Sequence, residues 1–90
     1  MNDFKIAETN SFVKKIKKSE YKRLYKKIET YVYPILKRNP YFGPNIKRLK
    51  GEFSEFYRYR IGDYRLFYKI EEDKILIFVV DIKHRKDAYN

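Results

Sequence analysis

The feature that most constrains the fold is the Gly62-Asp63 pair, which separates two segments of alternating apolar and charged residues, FYRYRI and YRLFYKI. Glycine at the first central position favours a two-residue type II′ turn, so the two segments predict a β-hairpin. A turn of this length also fixes the strand register. Arg60 is therefore expected directly opposite Arg65.

Side chains alternate between the two faces of a strand, so this hairpin has an aromatic and aliphatic face, suited to helix packing, and a basic face. Like charges on neighbouring strands, as at Arg60 and Arg65, destabilise a sheet by about 0.2–1 kcal/mol. An anion bound among the arginines explains their presence, and the alternative is neutralisation by Glu55 or Asp63. The first face carries Tyr57, Tyr59, Ile61, Tyr64, Leu66, Tyr68 and Ile70, and the second carries Phe56, Arg58, Arg60, Arg65, Phe67 and Lys69.

The rest of the chain predicts an α+β fold, with an N-terminal strand and a helical hairpin packed on one face of a mainly antiparallel four-stranded sheet, in one domain over residues 1–90. Thr9, Asn10 and Ser11 are candidate caps of a first helix. A second helix starts near Glu20, and Pro34 is expected to kink or end it. The segment RNPYFGPNIKRLKG (38–51) is expected to be a loop. The strands are expected at Asp3–Ala7, Glu55–Ile61, Tyr64–Ile70 and Ile75–Ile82. If the loop before the last strand has four residues, Leu76, Phe78 and Val80 join Phe67 on the second face of the hairpin.

Composition narrows the function classes. The 90 residues include no Cys, which excludes a disulfide scaffold and a Cys nucleophile, and no apolar run is long enough for a membrane helix. We therefore expect a cytoplasmic protein with no membrane contact. The net charge of +10 favours a polyanion or an acidic protein as partner, and the alternative is a solvated basic surface.

The C-terminal segment HRKDAY (84–89) follows the most apolar strand and concentrates ionisable groups. His84 is the only histidine, and an imidazole can donate or accept a proton near neutral pH, although a lone histidine is more often structural. Arginine guanidinium groups bind phosphate oxygens and stabilise a phosphoryl transition state. These groups suit RNA cleavage by the neighbouring 2′-hydroxyl, which requires neither a metal nor a cofactor, and the sequence offers no metal-ligand spacing.

Three segments carry a resemblance to a known family: RLKG (48–51), YRYRIGDYRLFY (57–68) and FVVDIKHRKDAY (78–89). In order and spacing the chain resembles toxins of the RelE/ParE superfamily from type II toxin–antitoxin systems, closest to the RelE-type mRNA interferases. The resemblance implies a RelE-like fold and a ribosome-dependent, metal-independent endoribonuclease that cleaves mRNA in the A site.

The same resemblance implies the site residues. RelE has lysines where this chain has Arg58 and Arg60, and arginine is a poor general base. His84 is therefore the candidate for an acid or base role, with Glu52 and Glu55 as weaker candidates. The implied catalytic residues are Arg58, Arg60, Arg65, His84, Arg85 and Tyr89, and the expected RNA-binding residues are Lys47, Arg48, Lys50, Lys83 and Lys86.

The implied partners are the ribosome, mRNA and a cognate acidic antitoxin that wraps the toxin, with DNA contacted only through the antitoxin. An acidic segment could neutralise the charge of +10 and cover the apolar part of the second face. Two other hypotheses remain. One is a ParE-like inhibitor of DNA gyrase without nuclease activity, and the other is an RNA- or protein-binding module without catalysis.

Overall fold

A five-stranded sheet with helices on one face forms the molecule, and the computed structural model describes residues 3–88 of it. The strand order is β1-β5-β4-β3-β2, with β1 parallel to β5 and all other neighbours antiparallel. The predicted α+β architecture is confirmed, but the predicted number of four strands is wrong. The elements are β1 (Lys5–Glu8), α1 (Asn10–Ile16), α2 (Lys22–Lys27), α3 (Tyr33–Arg38), β2 (Ile46–Arg48), β3 (Phe56–Ile61), β4 (Tyr64–Glu71), β5 (Leu76–His84) and α4 (Arg85–Ala88).

The additional strand is β2, which lies inside the segment expected to be a loop. It pairs antiparallel with β3, where Ile46 lies opposite Tyr59 and Lys47 lies opposite Arg58. Its three residues include one apolar side chain and follow Gly43 and Pro44, so the local sequence carries no period-two pattern. Pairing with the edge of β3, rather than local propensity, makes this segment a strand.

The helices follow the expected caps but pass through Pro34. Thr9 caps α1, because its Oγ1 accepts a hydrogen bond from the Phe12 amide at 3.3 Å. A π-helical segment, Ile28–Val32, joins α2 to α3 and ends two residues before Pro34, and its wider turn accommodates a residue that has no amide donor. Within residues 3–88 no helix is long and apolar enough to cross a membrane. Pro34 therefore changes the helix type, and the chain stays helical to Arg38.

The β3–β4 hairpin has the predicted register, with Arg60 opposite Arg65 and Ile61 opposite Tyr64. Gly62 has a φ of +57° while Asp63 does not have a positive φ, as a type II′ turn requires. The core lies between the helices and the aromatic face of this hairpin, as predicted. Its buried side chains are Phe12, Ile16, Ile28, Val32, Tyr33, Leu36, Tyr59, Ile61, Leu66, Tyr68, Ile77, Val79 and Ile82.

A β-bulge interrupts the pairing of β4 with β5. Tyr68 lies opposite Val79 but Phe67 lies opposite Asp81, so Val80 is the extra residue of β5. Before the bulge, Leu76 and Phe78 project from the face away from the helices, as predicted. Beyond it the alternation is reversed, because one added residue moves every following side chain to the other face.

Candidate active site

A cleft of about 370 Å³ lies on the sheet face away from the helices. Three neighbouring strands each supply a cation to it, with Lys47 from β2, Arg58 from β3 and Arg65 from β4. We call it the basic cleft, and its lining residues are Lys47, Arg48, Leu49, Lys50, Phe53, Arg58, Arg65 and Phe67.

Cross-strand pairing explains why these cations lie together. Lys47 lies opposite Arg58, and in the next row Arg60 lies opposite Arg65, which lies opposite Lys83 of β5. Residues opposite each other project from the same face and have Cβ atoms about 4.5–5.5 Å apart. We call Arg60, Arg65 and Lys83 the basic row, which runs across three strands beside the cleft.

Arg65 is the most buried cation of the site. The residue is 9% exposed although it lies on a face without helices, and its Nη1 is 3.4 Å from the Tyr64 carbonyl oxygen. Arg58 is half-buried, and its Nη1 donates a hydrogen bond to the Asn45 carbonyl at 2.8 Å. A guanidinium that is largely removed from water interacts more strongly with a bound anion than one on an open surface.

An apolar hollow of about 290 Å³ adjoins the cleft. Phe53 lines both spaces and is 54% exposed, which makes it an accessible aromatic wall between them. The sequence interpretation missed Phe53 because it lies in the connection after Gly51, whose φ is +69°. An aromatic residue close behind a glycine turn was the available signal. The hollow is lined by Leu49, Phe53, Phe56, Phe67, Val80, Asp81 and Lys83.

The acidic side chains near the site are engaged elsewhere or exposed. Asp81 accepts hydrogen bonds from Lys15 Nζ at 2.9 Å and from the Ile82 amide at 2.8 Å. Asp63 pairs with Arg85, and Glu55 is exposed before β3. Among the described residues, those lining the basic cleft include no Asp or Glu. The alternative of local neutralisation is therefore not favoured for the cleft itself.

Within residues 3–88 no cluster of three His, Cys, Asp or Glu side chains could hold a metal ion. The electrostatics of the described part of the site are accordingly those of its arginines and lysines. Such a surface can bind a phosphate group through several forked hydrogen-bond donors.

The C-terminal candidates do not all join this cluster. His84 lies opposite Tyr64 on the helix side of the sheet, and the two ring centroids are 5.3 Å apart. Arg85 lies against the hairpin turn, where its amide donates to the Asp63 carbonyl at 2.6 Å and its Nε is 3.6 Å from Asp63 Oδ1. The bulge at Val80 is the reason His84 is on the other face. Tyr89 lies outside the described residues.

The expected RNA-binding lysines divide into two groups. Lys47 and Lys50 line the basic cleft, and Lys83 lines the apolar hollow and belongs to the basic row. Lys86 is exposed on α4, next to Arg85. The first three can therefore contact one ligand, while Lys86 lies on the C-terminal segment.

Arg48 combines a place in the cleft wall with contacts at the sheet edge. Its Nε donates to the Ser54 carbonyl at 2.7 Å, and its guanidinium carbon is 5.9 Å from the centroid of the Tyr57 ring. Tyr57 belongs to the aromatic face of the hairpin. These contacts fix Arg48 and leave it less able to follow a ligand than Lys47.

Comparison with known proteins identifies the family. The model of the ParE toxin of type II toxin–antitoxin systems (parDE) matches residues 7–89. No curated protein sequence matches the chain.

Solved structures of toxins share the fold. They include the RelBE2 toxin–antitoxin complex of Mycobacterium tuberculosis, at 23% identity and a TM-score of 0.78 over 97% of each chain. The YoeB/ParE toxin of Agrobacterium tumefaciens is 20% identical, with a TM-score of 0.73 over 90% of this chain and 98% of that one. The RelB–RelE complex of Methanococcus jannaschii is 26% identical, with a TM-score of 0.65 over 91% of this chain and 93% of that one.

These matches confirm the RelE-like fold and the resemblance to the RelE/ParE superfamily. Because the family model spans nearly the whole sequence, the chain belongs to the ParE toxin family and is the toxin of a type II toxin–antitoxin system.

Proposed function

We propose that this toxin is a metal-independent endoribonuclease that cleaves mRNA in the ribosomal A site and so blocks translation. The observation that carries the proposal is the basic cleft, in which Lys47, Arg58 and the buried Arg65 come together from three strands. The repulsion among these cations opposes folding, and the negative charge of a bound phosphodiester would offset that repulsion.

In this proposal the arginines act on the scissile phosphate. Attack by the 2′-hydroxyl oxygen on phosphorus forms a 2′,3′-cyclic phosphate and breaks the bond to the 5′-oxygen, which leaves as a hydroxyl after taking a proton from water or a side chain. The attack places additional negative charge on the phosphate oxygens, and the guanidinium donors of Arg58 and Arg65 stabilise that charge. Because both side chains project from paired strands, little reorganisation is needed when the charge develops. Arg60 and Lys83 extend the binding surface along the backbone of the message.

In this proposal the aromatic side chains beside the cleft bind the bases of the RNA. Phe53 is exposed between the cleft and the hollow, and Phe67 lies on the floor of both. Single-stranded RNA is commonly held by stacking its bases on aromatic rings beside a basic groove. We assign this stacking role to Phe53.

Glu52 and Glu55 are exposed residues on either side of Phe53, in the connection that borders the cleft. A carboxylate there is a candidate to accept the 2′-hydroxyl proton. The variants Glu52→Gln and Glu55→Gln keep the side-chain shape and remove the base, so the one that loses cleavage identifies it.

We further propose that a cognate acidic antitoxin silences the toxin by covering the face that carries the cleft and the hollow. The solved structures with this fold include toxin–antitoxin complexes from M. tuberculosis and M. jannaschii. The charge of +10 and the apolar hollow suit an acidic segment with apolar side chains. Contact with DNA would then be made through the antitoxin.

The decisive experiment measures cleavage of mRNA in purified ribosomes with Arg65→Ala and Arg65→Lys. Loss of one fixed donor to the transition state is expected to lower the cleavage rate by about 100–1,000-fold. Lysine should restore only part of this rate, because it lacks the planar fork. Lys26→Ala, which removes an exposed cation from α2, is the matched control and should cleave normally.

The second candidate function is inhibition of DNA gyrase, which is favoured by the match to the ParE model. Purified gyrase is assayed for supercoiling with the same proteins. Inhibition of gyrase together with intact mRNA would overturn the ribonuclease proposal.

A further inference from the structure

The position of His84 differs from that of a group acting in the cleft. It is the last residue of β5 and lies opposite Tyr64, whereas Lys83 lies opposite Arg65 on the cleft side. Its imidazole packs edge-to-face on Tyr64, with ring centroids 5.3 Å apart and an interplanar angle of 85°. Tyr64 in turn contacts the Tyr21 ring at 6.1 Å. The imidazole thus packs on Tyr64, on the side of the sheet away from the arginines of the cleft.

The hydrogen bond of this imidazole is made to the backbone. Nδ1 of His84 accepts from the amide of Lys86, two residues later, at 3.2 Å. This is the relation between an N-cap side chain and the second residue of a helix, and His84 immediately precedes α4, which begins at Arg85. Since Nδ1 is the acceptor, the proton of the neutral ring is on Nε2.

The next residue is tied to the neighbouring hairpin. The Arg85 amide donates to the Asp63 carbonyl at 2.6 Å, and Arg85 Nε lies 3.6 Å from Asp63 Oδ1. The cap at His84 and the anchor at Asp63 together fix where the chain leaves the sheet. The direction of the C-terminal segment, which carries Arg85, depends on both.

We propose that His84 is a positioning residue, which through Nδ1 caps the C-terminal turn and so sets the place of Arg85 against the β3–β4 hairpin turn. The inference rests on the proposed ribonuclease function and changes the role that the sequence suggested for His84. A proton donor or acceptor for RNA must reach the reacting oxygens. The Nδ1 of this imidazole instead accepts a hydrogen bond from the Lys86 amide, and its ring packs against Tyr64.

The experiment compares His84→Asn with His84→Gln. Asparagine is a good N-cap residue because its side-chain oxygen reaches the same amide, while glutamine is not. Both changes remove the ring and its contact with Tyr64, so that loss is common to the two variants. The measurements are single-turnover cleavage of ribosome-bound mRNA, its pH profile and hydrogen exchange at the Lys86 amide.

If His84 positions the segment, His84→Asn keeps the wild-type pH profile and the protection of the Lys86 amide. His84→Gln should lose that protection, and its cleavage rate should fall by at least about fivefold, as the loss of a cap implies. The proposal is overturned if both variants are equally inactive while His84→Asn keeps the amide protected, or if the pH profile of His84→Asn loses a limb.

Failure of the ribonuclease function itself gives a different result. The wild-type protein would then cleave no message, and the proposed function would fall whatever the variants do. The exchange rates of the Lys86 amide would still test whether His84 caps the C-terminal turn. Equal protection of this amide in His84→Asn and His84→Gln would contradict the cap.

Discussion

The basic row should destabilise the fold, so the substitution Arg60→Gln is expected to make the toxin more stable. Arg60 lies opposite Arg65, which lies opposite Lys83, so three cations are adjacent on three strands. Like charges directly opposite each other in a sheet cost about 0.2–1 kcal/mol. Arg60 is the exposed end of the row and does not line the cleft, so glutamine removes the charge without opening a cavity.

The exposure of Arg60 places the expected gain near the middle of that range, at about 0.5 kcal/mol. For a domain of this size, such a change raises Tm by about 2–4 °C. The gain should disappear at about 1 M salt, where the screening length falls to about 3 Å. Thermal unfolding at low and high salt measures it, and Lys26→Gln is the control for the same loss of net charge on a helix.

Under the proposed ribonuclease function, the same variant should also cleave RNA more slowly, because the proposed RNA-binding surface then carries one cation fewer. A gain in stability together with a loss of activity is the expected signature of a row kept for its ligand. The reasoning fails if Arg60→Gln is less stable than wild type at low salt, or if its gain is unchanged at high salt. If this variant cleaves RNA at the normal rate, the basic row is not part of the proposed RNA-binding surface.

Two further predictions concern the core. The buried Tyr68 hydroxyl donates to the Pro40 carbonyl at 2.7 Å, so Tyr68→Phe should lower the free energy of unfolding by about 1–3 kcal/mol in urea titrations, and no loss would contradict this. Burial, and then the hydrogen bond to Glu8, raise the pKa of Tyr33 well above its ordinary value. An unfolded tyrosine ionises near pH 10, whereas Tyr33 in the folded state stays protonated to higher pH. The contribution of neutral Tyr33 to the free energy of unfolding is therefore complete below about pH 10 and is lost as the pH rises further. Urea titrations from about pH 8 to about pH 11 should show a shallower decline for Tyr33→Phe than for wild type.

The hairpin could be predicted residue by residue because its register depends on local information. A two-residue turn leaves one pairing, and the alternation around Gly62-Asp63 then assigns each side chain to a face. The pairing of Arg60 with Arg65, and hence part of the candidate site, followed from the sequence for this reason.

The parts that could not be predicted depend on tertiary contacts. Strand β2 has no periodic pattern of its own and is defined by the edge of β3, so the place of Lys47 opposite Arg58 could not be predicted, although Lys47 itself was an expected RNA-binding residue. Phe53 occupies a short turn whose direction the local sequence does not set. The place of His84 depends on the bulge at Val80, which strict alternation along β5 cannot show.

The bulge also connects the stability of the core with the composition of the site. With regular pairing, Val80 would lie opposite Phe67 and Asp81 would lie opposite the fully buried Leu66, which would put a carboxylate into the core. Burying such a charge costs several kcal/mol, so the extra residue is strongly favoured. The bulge places Ile82 in the core instead, and that same shift brings Lys83 to the basic row and turns His84 toward the helices. The demands of packing therefore decide which of two consecutive ionisable residues, Lys83 or His84, lies on the face that carries the basic cleft.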